Sequence, residues 1–244
     1  DLADSYKRKA DDLKNKRILY FDAARMYVKS AEAELKSLTP RPVYLTDTLN
    51  LAKSSFRQVG QYDKAIEHYQ QALKVDQKLG SEASIADLLN KFGSVYESWG
   101  QYDKALEHYQ QALKIARKLG EEGSIATSLG NIGSVYLDWG QYDKSIQHAK
   151  QALKILRKLG EESKVAILLS NIGSIYLDWG QYEKSIEHAK QALKIFRKLG
   201  EEGSIATSLG NIGLVYYYQG QYDKAIQHYQ QALKIDQKLG SEAA

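Results

Sequence analysis

The 244-residue chain has no cysteine, two prolines, one methionine and no long apolar run. Without cysteine it can form no disulfide, no thiolate metal site and no cysteine nucleophile. That usage fits a reducing compartment, so a cytoplasmic protein is expected. The apolar runs are a few residues each, far short of a bilayer span, so no membrane partner is expected. The opening stretch "DLADSYKRKADD" is charged and lacks the apolar centre of a signal peptide. Neither sign of charge dominates: 34 basic and 30 acidic residues leave +4, spread along the chain. There is no basic tail or stripe for a nucleic-acid backbone to follow. Charged residues make up 26% and hydrophobic ones 43%, which excludes disorder and allows an ordinary core.

Motifs of catalysis are missing too. No phosphate loop, nucleophile elbow or "HExxH" occurs. "GSIATSLGNIG" at 123–133 and 203–213 has glycines and hydroxyls but no P-loop lysine. The acidic pairs Glu121–Glu122 and Glu201–Glu202 stand where a helix begins, and the positive end of its dipole is reason enough for them. No enzyme, cofactor or metal is expected.

What the chain does have is repetition. "NIGSVYLDWGQYDKSIQHAKQALKILRKLG" at 131–160 returns at 171–200 with only a few changes. The anchor "GQYDKA" or a near-copy starts at Gly60, Gly100, Gly140, Gly180 and Gly220, a step of forty. A second glycine, in "KLG", falls at Gly80, Gly120, Gly160, Gly200 and Gly240. A fixed period of this length marks a stacked array.

The two glycines divide each unit into two segments, and both segments read as helix. Tyr142, Ser145, Ile146, Ala149, Ala152, Leu153 and Leu156 recur at three- and four-residue steps. Ile125, Leu129, Ile132, Gly133 and Tyr136 do the same in the preceding segment. A glycine closing each segment supplies the left-handed residue of a helix end. Lys154, Arg157 and Lys158 in the last turns oppose the negative end of the dipole. A lone hairpin cannot bury such a stripe, whereas stacked copies can. The expected fold is therefore an all-α solenoid of antiparallel helix hairpins, with units at 41–80, 81–120, 121–160, 161–200 and 201–240.

The ends are less regular. Residues 1–40 lack the anchor, but Phe21, Ala24, Val28 and Ala31 echo its spacing. They read as a degenerate hairpin with helices near 1–16 and 19–38, ended by Pro40 and Pro42. The closing "KLGSEAA" matches "KLGSEAS" at 78–84, so 241–244 reads as the start of a truncated further repeat.

Two ladders of side chains invite a chemical reading. His68, His108, His148, His188 and His228 occur once per unit. Successive copies in a stack lie about 10 Å apart, while zinc needs ligands at about 2.0–2.1 Å, so the histidines read as structural. Trp99, Trp139 and Trp179 each precede a turn glycine, and packing at the hairpin edge is favoured over stacking on nucleic-acid bases. The tyrosines at 62, 102, 142, 182 and 222 are expected to be structural.

The pattern resembles the tetratricopeptide repeat, in the forty-residue long-helix variant of kinesin light chains and Pins-type adaptors. In one unit the matching residues are Leu129, Ile132, Gly133, Tyr136, Gly140, Tyr142, Ser145, Ala149 and Ala152, and the resemblance runs over 43–240. The usual proline after the second helix is replaced by Gln77, Arg117, Arg157, Arg197 or Gln237. The first unit departs further, with Ala52 and Lys53 at the aliphatic–glycine pair, so its first helix is expected to be displaced.

The resemblance implies a right-handed superhelix whose first helices line a concave groove for an extended or helical peptide. It maps that face to Asn90, Glu97, Asn131, Ser134, Asp138, Asn171, Ser174, Asp178, Asn211, Tyr217 and Tyr218. An asparagine amide donates and accepts at once, so Asn131, Asn171 and Asn211 in register could hold a peptide backbone. The alternative is that these amides bond within their own helix pair. Lysine and arginine crowd the second helices while Glu97, Asp138 and Asp178 are acidic, so a basic or mixed-polarity protein or peptide is the expected partner. End-to-end self-association through the C-terminal repeat is also expected. Rival readings are a sensor or assembly segment of a larger signalling protein such as a nucleotide-binding ATPase, a nucleic-acid binder, which the interleaved charge disfavours, and an engineered array without a natural ligand. The irregular first forty residues argue against the last.

Overall fold

The computed structural model describes residues 3–8, 29–30, 33, 62–79 and 81–242. Among these there is helix and turn but no strand. After the short helical pieces at 3–8, 29–30 and 33 come α1 (Tyr62–Leu79), α2 (Glu82–Ser98), α3 (Tyr102–Leu119), α4 (Glu122–Asp138), α5 (Tyr142–Lys158), α6 (Glu162–Asp178), α7 (Tyr182–Leu199), α8 (Glu202–Tyr218) and α9 (Tyr222–Glu242). Even-numbered helices are the first of a hairpin and odd-numbered ones the second. The expected displacement around Ala52 and Lys53, and most of the degenerate hairpin, lie outside the described residues. Within that hairpin the buried Ser30 hydroxyl donates to the Ala3 carbonyl at 2.7 Å, which joins 3–8 to the segment around residue 30.

The turn glycines do what a left-handed residue is for. Gly140, with φ of 73°, lets the Gln141 N–H reach back to the Tyr136 carbonyl at 2.7 Å and close α4. The glycines at 100, 120, 160, 180, 200 and 220 share this conformation. Gly240 does not: α9 runs through it to Glu242, so the helix closure expected there is absent. At Gly160 and Gly200 the following first helix folds back onto the stack and holds the turn in place.

The chain forms two units, residues 1–121 and 122–244. In the first, α1 meets α2 through Tyr69 on Phe92 (5.6 Å between ring centroids) and Tyr62 on Trp99 (5.7 Å). Helices α2 and α3 close over Gly93, where the ring of the buried Tyr109 would lie 2.6 Å from an added Cβ.

In the second unit three hairpins stack. Ile146 and Leu153 of α5, Val165, Leu169 and Ile172 of α6, and Ala192 and Phe196 of α7 make one continuous core. Leu193 of α7 meets Leu209 and Ile212 of α8 in the next layer. Each of the larger side chains contributes about 1.5–3 kcal/mol by leaving water, and part of that burial is supplied by the neighbouring copy. Close approach inside the hairpins rests on small residues at the crossings. An added Cβ on Gly133 or Gly173 would sit 3.2 Å from the carbonyl of Ser145 or Ser185. The Ser145 hydroxyl uses that proximity to donate to the Gly133 carbonyl at 2.7 Å. The open ends of the hairpins are pinned by exposed ion pairs, Lys158 to Glu122, Lys198 to Glu162 (2.6 Å) and Lys238 to Glu202 (2.8 Å).

Candidate peptide-binding face

In the second unit α6 and α8 touch directly, and no two second helices of that unit come as close among the described residues. The first helices therefore share one side of the stack. Successive first helices leave hollows between them. Gly130, Asn131, Ser134 and Leu137 of α4 face Leu168, Asn171, Ser174 and Ile175 of α6 across a space of about 410 Å³. Ile167, Ser170 and Asn171 of α6 face Gly203, Ser204, Thr207 and Ser208 of α8 across about 420 Å³. Asn171 lines both, and its side chain is exposed.

The hollows lie where short residues stand between the longer Leu137, Ile167, Leu168 and Ile175. Glycine, serine, threonine and asparagine keep the first helices soluble while leaving a groove, and their hydroxyls and amides offer both donors and acceptors along it. Several hydroxyls are already turned onto their own helix: Thr207 donates to the Gly203 carbonyl at 3.0 Å and Ser174 to the Ser170 carbonyl at 3.3 Å. The Asn211 amide is also engaged, donating to the Ser170 hydroxyl of the neighbouring first helix at 3.5 Å. The asparagines are thus in register but not equivalent, and Asn211 bonds between copies instead of within its own hairpin.

The other expected site residues are distributed as follows. Asn131, Ser134, Asn171 and Ser174 come together in the 410 Å³ hollow. Asp138 and Asp178 stand exposed at the ends of α4 and α6, outside the hollows, and desolvation at the end of α4 raises the Asp138 pKa above the ordinary carboxylate value. Tyr217 and Tyr218 are exposed at the end of α8, edge to face at 5.8 Å. Asn90 and Glu97 belong to the first unit, where the Glu97 carboxylate accepts from the Tyr109 hydroxyl at 2.8 Å. Of the two lysines on first helices, Lys91 pairs with Asp87 and Lys164 with Glu161 (3.3 Å), while α4 and α8 carry neither lysine nor arginine.

Ile167 and Leu168 were not anticipated. Their signal is a break in the repeat: "VAILL" at 165–169 stands where the copies on either side read "IATSL". Another space, about 620 Å³, lies away from this face among Arg157, Gly160, Glu162, Val165, Leu169, Gln191, Lys194, Ile195 and Lys198.

The described members of the histidine and tryptophan ladders are packing elements. His148 lies on Tyr136 at 5.3 Å, its Nδ1–H donating to the Lys144 carbonyl at 2.9 Å, while the Lys144 ammonium sits over the same tyrosine ring at 5.2 Å. Tyr176 carries the equivalent pair, His188 at 5.2 Å and Lys184 at 5.4 Å. Trp179 stacks on Tyr176 of its own helix and on Tyr142 of the preceding hairpin, at 6.4 and 6.0 Å. The tyrosines that begin the second helices are half-buried, not core, and Tyr222 is exposed. No cluster of metal-binding side chains occurs among the described residues, and no helix there is long and apolar enough to cross a membrane.

The tetratricopeptide repeat family model matches three stretches, 44–118, 84–158 and 164–238. BtubC (BKLC) from P. vanneervenii superposes with a TM-score of 0.76 at 23% identity, over 89% of this chain and 90% of that one. A putative kinesin light chain from Podosopora anserina with nearly identical TPR-like repeats gives 0.67 at 23%, over 82% and 99%. A signal transduction ATPase with a tetratricopeptide repeat sensor from Pyrococcus horikoshii gives 0.67 at 20%, over 96% of this chain but 35% of that one. No curated protein matches by sequence.

Proposed function

Because the chain belongs to the tetratricopeptide repeat family, we propose that it is a non-catalytic scaffold that holds a protein or peptide along its first helices. The carrying observation is the pair of adjoining hollows that share the exposed Asn171. A ligand laid across them meets short polar side chains interleaved with Leu137, Ile167, Leu168 and Ile175 on a packed framework, so little ordering is required of the protein on binding. The acidic helix ends at Asp138 and Asp178, with no basic residue on α4 or α8, favour a basic or mixed-polarity ligand.

Panning a displayed peptide library on the purified chain tests this. Peptides retained by the wild type should bind Asn171→Arg about tenfold more weakly, a difference of about 1.4 kcal/mol. Equal binding would move the site elsewhere. Within the retained set, Asp138→Lys with Asp178→Lys should weaken basic peptides and flatten their salt dependence.

A second reading is a sensor segment of a larger signalling protein. It is supported by the similarity to the repeat sensor of the Pyrococcus horikoshii ATPase. A nucleotide-binding domain encoded in the same gene would favour it, and repeats alone would favour the scaffold.

A further inference from the structure

Helices α4, α6 and α8 present closely related faces, and α6 departs from the other two in one apolar stretch. Residues 165–169 read "VAILL" where 125–129 and 205–209 read "IATSL". Thr127 and Thr207 each donate to the carbonyl one turn back, at 3.0 Å, and Ser128 and Ser208 are buried. In their places α6 carries Ile167, 49% exposed, and Leu168, half-buried. An isoleucine left so open gains little of the burial that stabilises a core, so packing does not account for it.

A single exposed aliphatic side chain is ordinary, but the surroundings of this pair are not. Ile167 and Leu168, with Ala126, Leu156 and Leu159, line a recess of about 260 Å³ between α4 and α6. Leu159 is itself 43% exposed, and Gly123 and Gly130 of α4 line the recess with open space where a Cβ would be. The charges at its edge, Glu161 and Lys164, neutralise each other at 3.3 Å, so the recess favours an uncharged side chain. Ile167 also lines the hollow between α6 and α8, and Leu168 the hollow between α4 and α6. The apolar pair is thus the junction of three spaces, and Asn171 lines all three. Of the asparagines in register, Asn131 and Asn211 are engaged within the protein, while Asn171 bonds to no other described residue.

A peptide residue matches both halves of this junction. Its backbone N–H and C=O pair with a side-chain amide that donates and accepts at once, and its side chain fills the recess. A hydrocarbon tail would fill the recess and leave the amide unused. Elsewhere on the groove a peptide meets similar polar side chains at each copy, so polar contacts alone leave several registers nearly equivalent. We propose that Ile167, Leu168 and Asn171 fix the register of a bound peptide by seating one large aliphatic or aromatic side chain of it in the recess. This rests on the reading of the first helices as a peptide groove and adds the chemical class of the anchoring residue.

Panning a displayed peptide library on two proteins tests it. Wild type should return sequences that share Leu, Ile, Met, Phe, Tyr or Trp at one position. Ile167→Thr with Leu168→Ser, which installs the residues of the neighbouring copies, should return sequences without that preference. In a synthetic peptide retained by wild type, alanine at the shared position should weaken binding to wild type about tenfold. The same alanine should change binding to the double variant less than about twofold, since the two sites are coupled. Circular dichroism should show both proteins equally helical. If the double variant unfolds, Ile167→Thr alone, at an exposed position, carries the same comparison. An apolar position returned equally by both proteins, or an equal alanine penalty in both, would overturn the register proposal and leave the groove standing. Retained peptides whose binding Asn171→Arg does not change would overturn the groove, and this proposal with it.

Discussion

At the scale of single residues, glycine has opposite meanings within one helix type. Gly93 is pressed by the Tyr109 ring at 2.6 Å from where a Cβ would be, and that ring is buried and bonded through its hydroxyl to Glu97. Gly93→Ala should destabilise the protein by about 1–3 kcal/mol. Gly130 and Gly210 have nothing within 4 Å of such a Cβ. Alanine at either should stabilise by about 0.5–1 kcal/mol, because it removes only unfolded-state freedom. Denaturant titration of the three variants checks both signs. Titration of His108 is a second residue-scale effect. Burial beside Phe92 and Tyr96 lowers its pKa from 6.5, with neighbouring Glu107 partly opposing. The unfolded chain then takes the proton more readily, so this contribution is complete above about pH 6.5 and is lost as pH falls below it. Thermal melts from pH 7.5 to 5 should show the decline, and His108→Phe should make it shallower.

Helix ends decide matters at the scale of elements. "KLG" ends α7 and also occurs near the end of α9, yet Gly200 is left-handed with φ of 72° and Gly240 is helical. Alanine at 200 should cost about 1–2 kcal/mol, whereas alanine at 240 should lengthen or firm the last turn. Circular dichroism and melting of the two variants would separate them. Removing an end clamp should matter little: Lys198 and Glu162 are 67% and 47% exposed, so Glu162→Gln should move stability by less than about 0.5 kcal/mol. The stripes themselves were legible in the sequence, since Ser145, Ile146, Ala149, Ala152 and Leu153 are all buried as their spacing predicts. What spacing could not supply was the fate of Tyr222, which has nearly the same sequence surroundings as Tyr142 but is 59% exposed where Tyr142 is half-buried.

For the whole molecule, stability is the sum of what each hairpin and each contact between neighbouring copies contributes, so it should follow the number of hairpins. In-frame deletion of 161–200 would bring α5 against α8, whose buried pattern closely matches that of α6. A folded protein of lower melting temperature is expected, and an unfolded one would show that the copies are not interchangeable. Of the face proposed to bind a ligand, the asparagine register could be read from the period alone. The hollows could not, because they depend on how far apart the first helices stand and on which side chains span the gap, as Asn211 does to Ser170.

By itself the sequence determined the repeat, the helical hairpins, the small residues at their crossings and the family, because each is encoded by local spacing within forty residues. Tertiary structure alone decided which of several near-identical positions are covered, bridged or open. Identical side chains meet different neighbours according to their place in the stack, and exposure is a property of those neighbours.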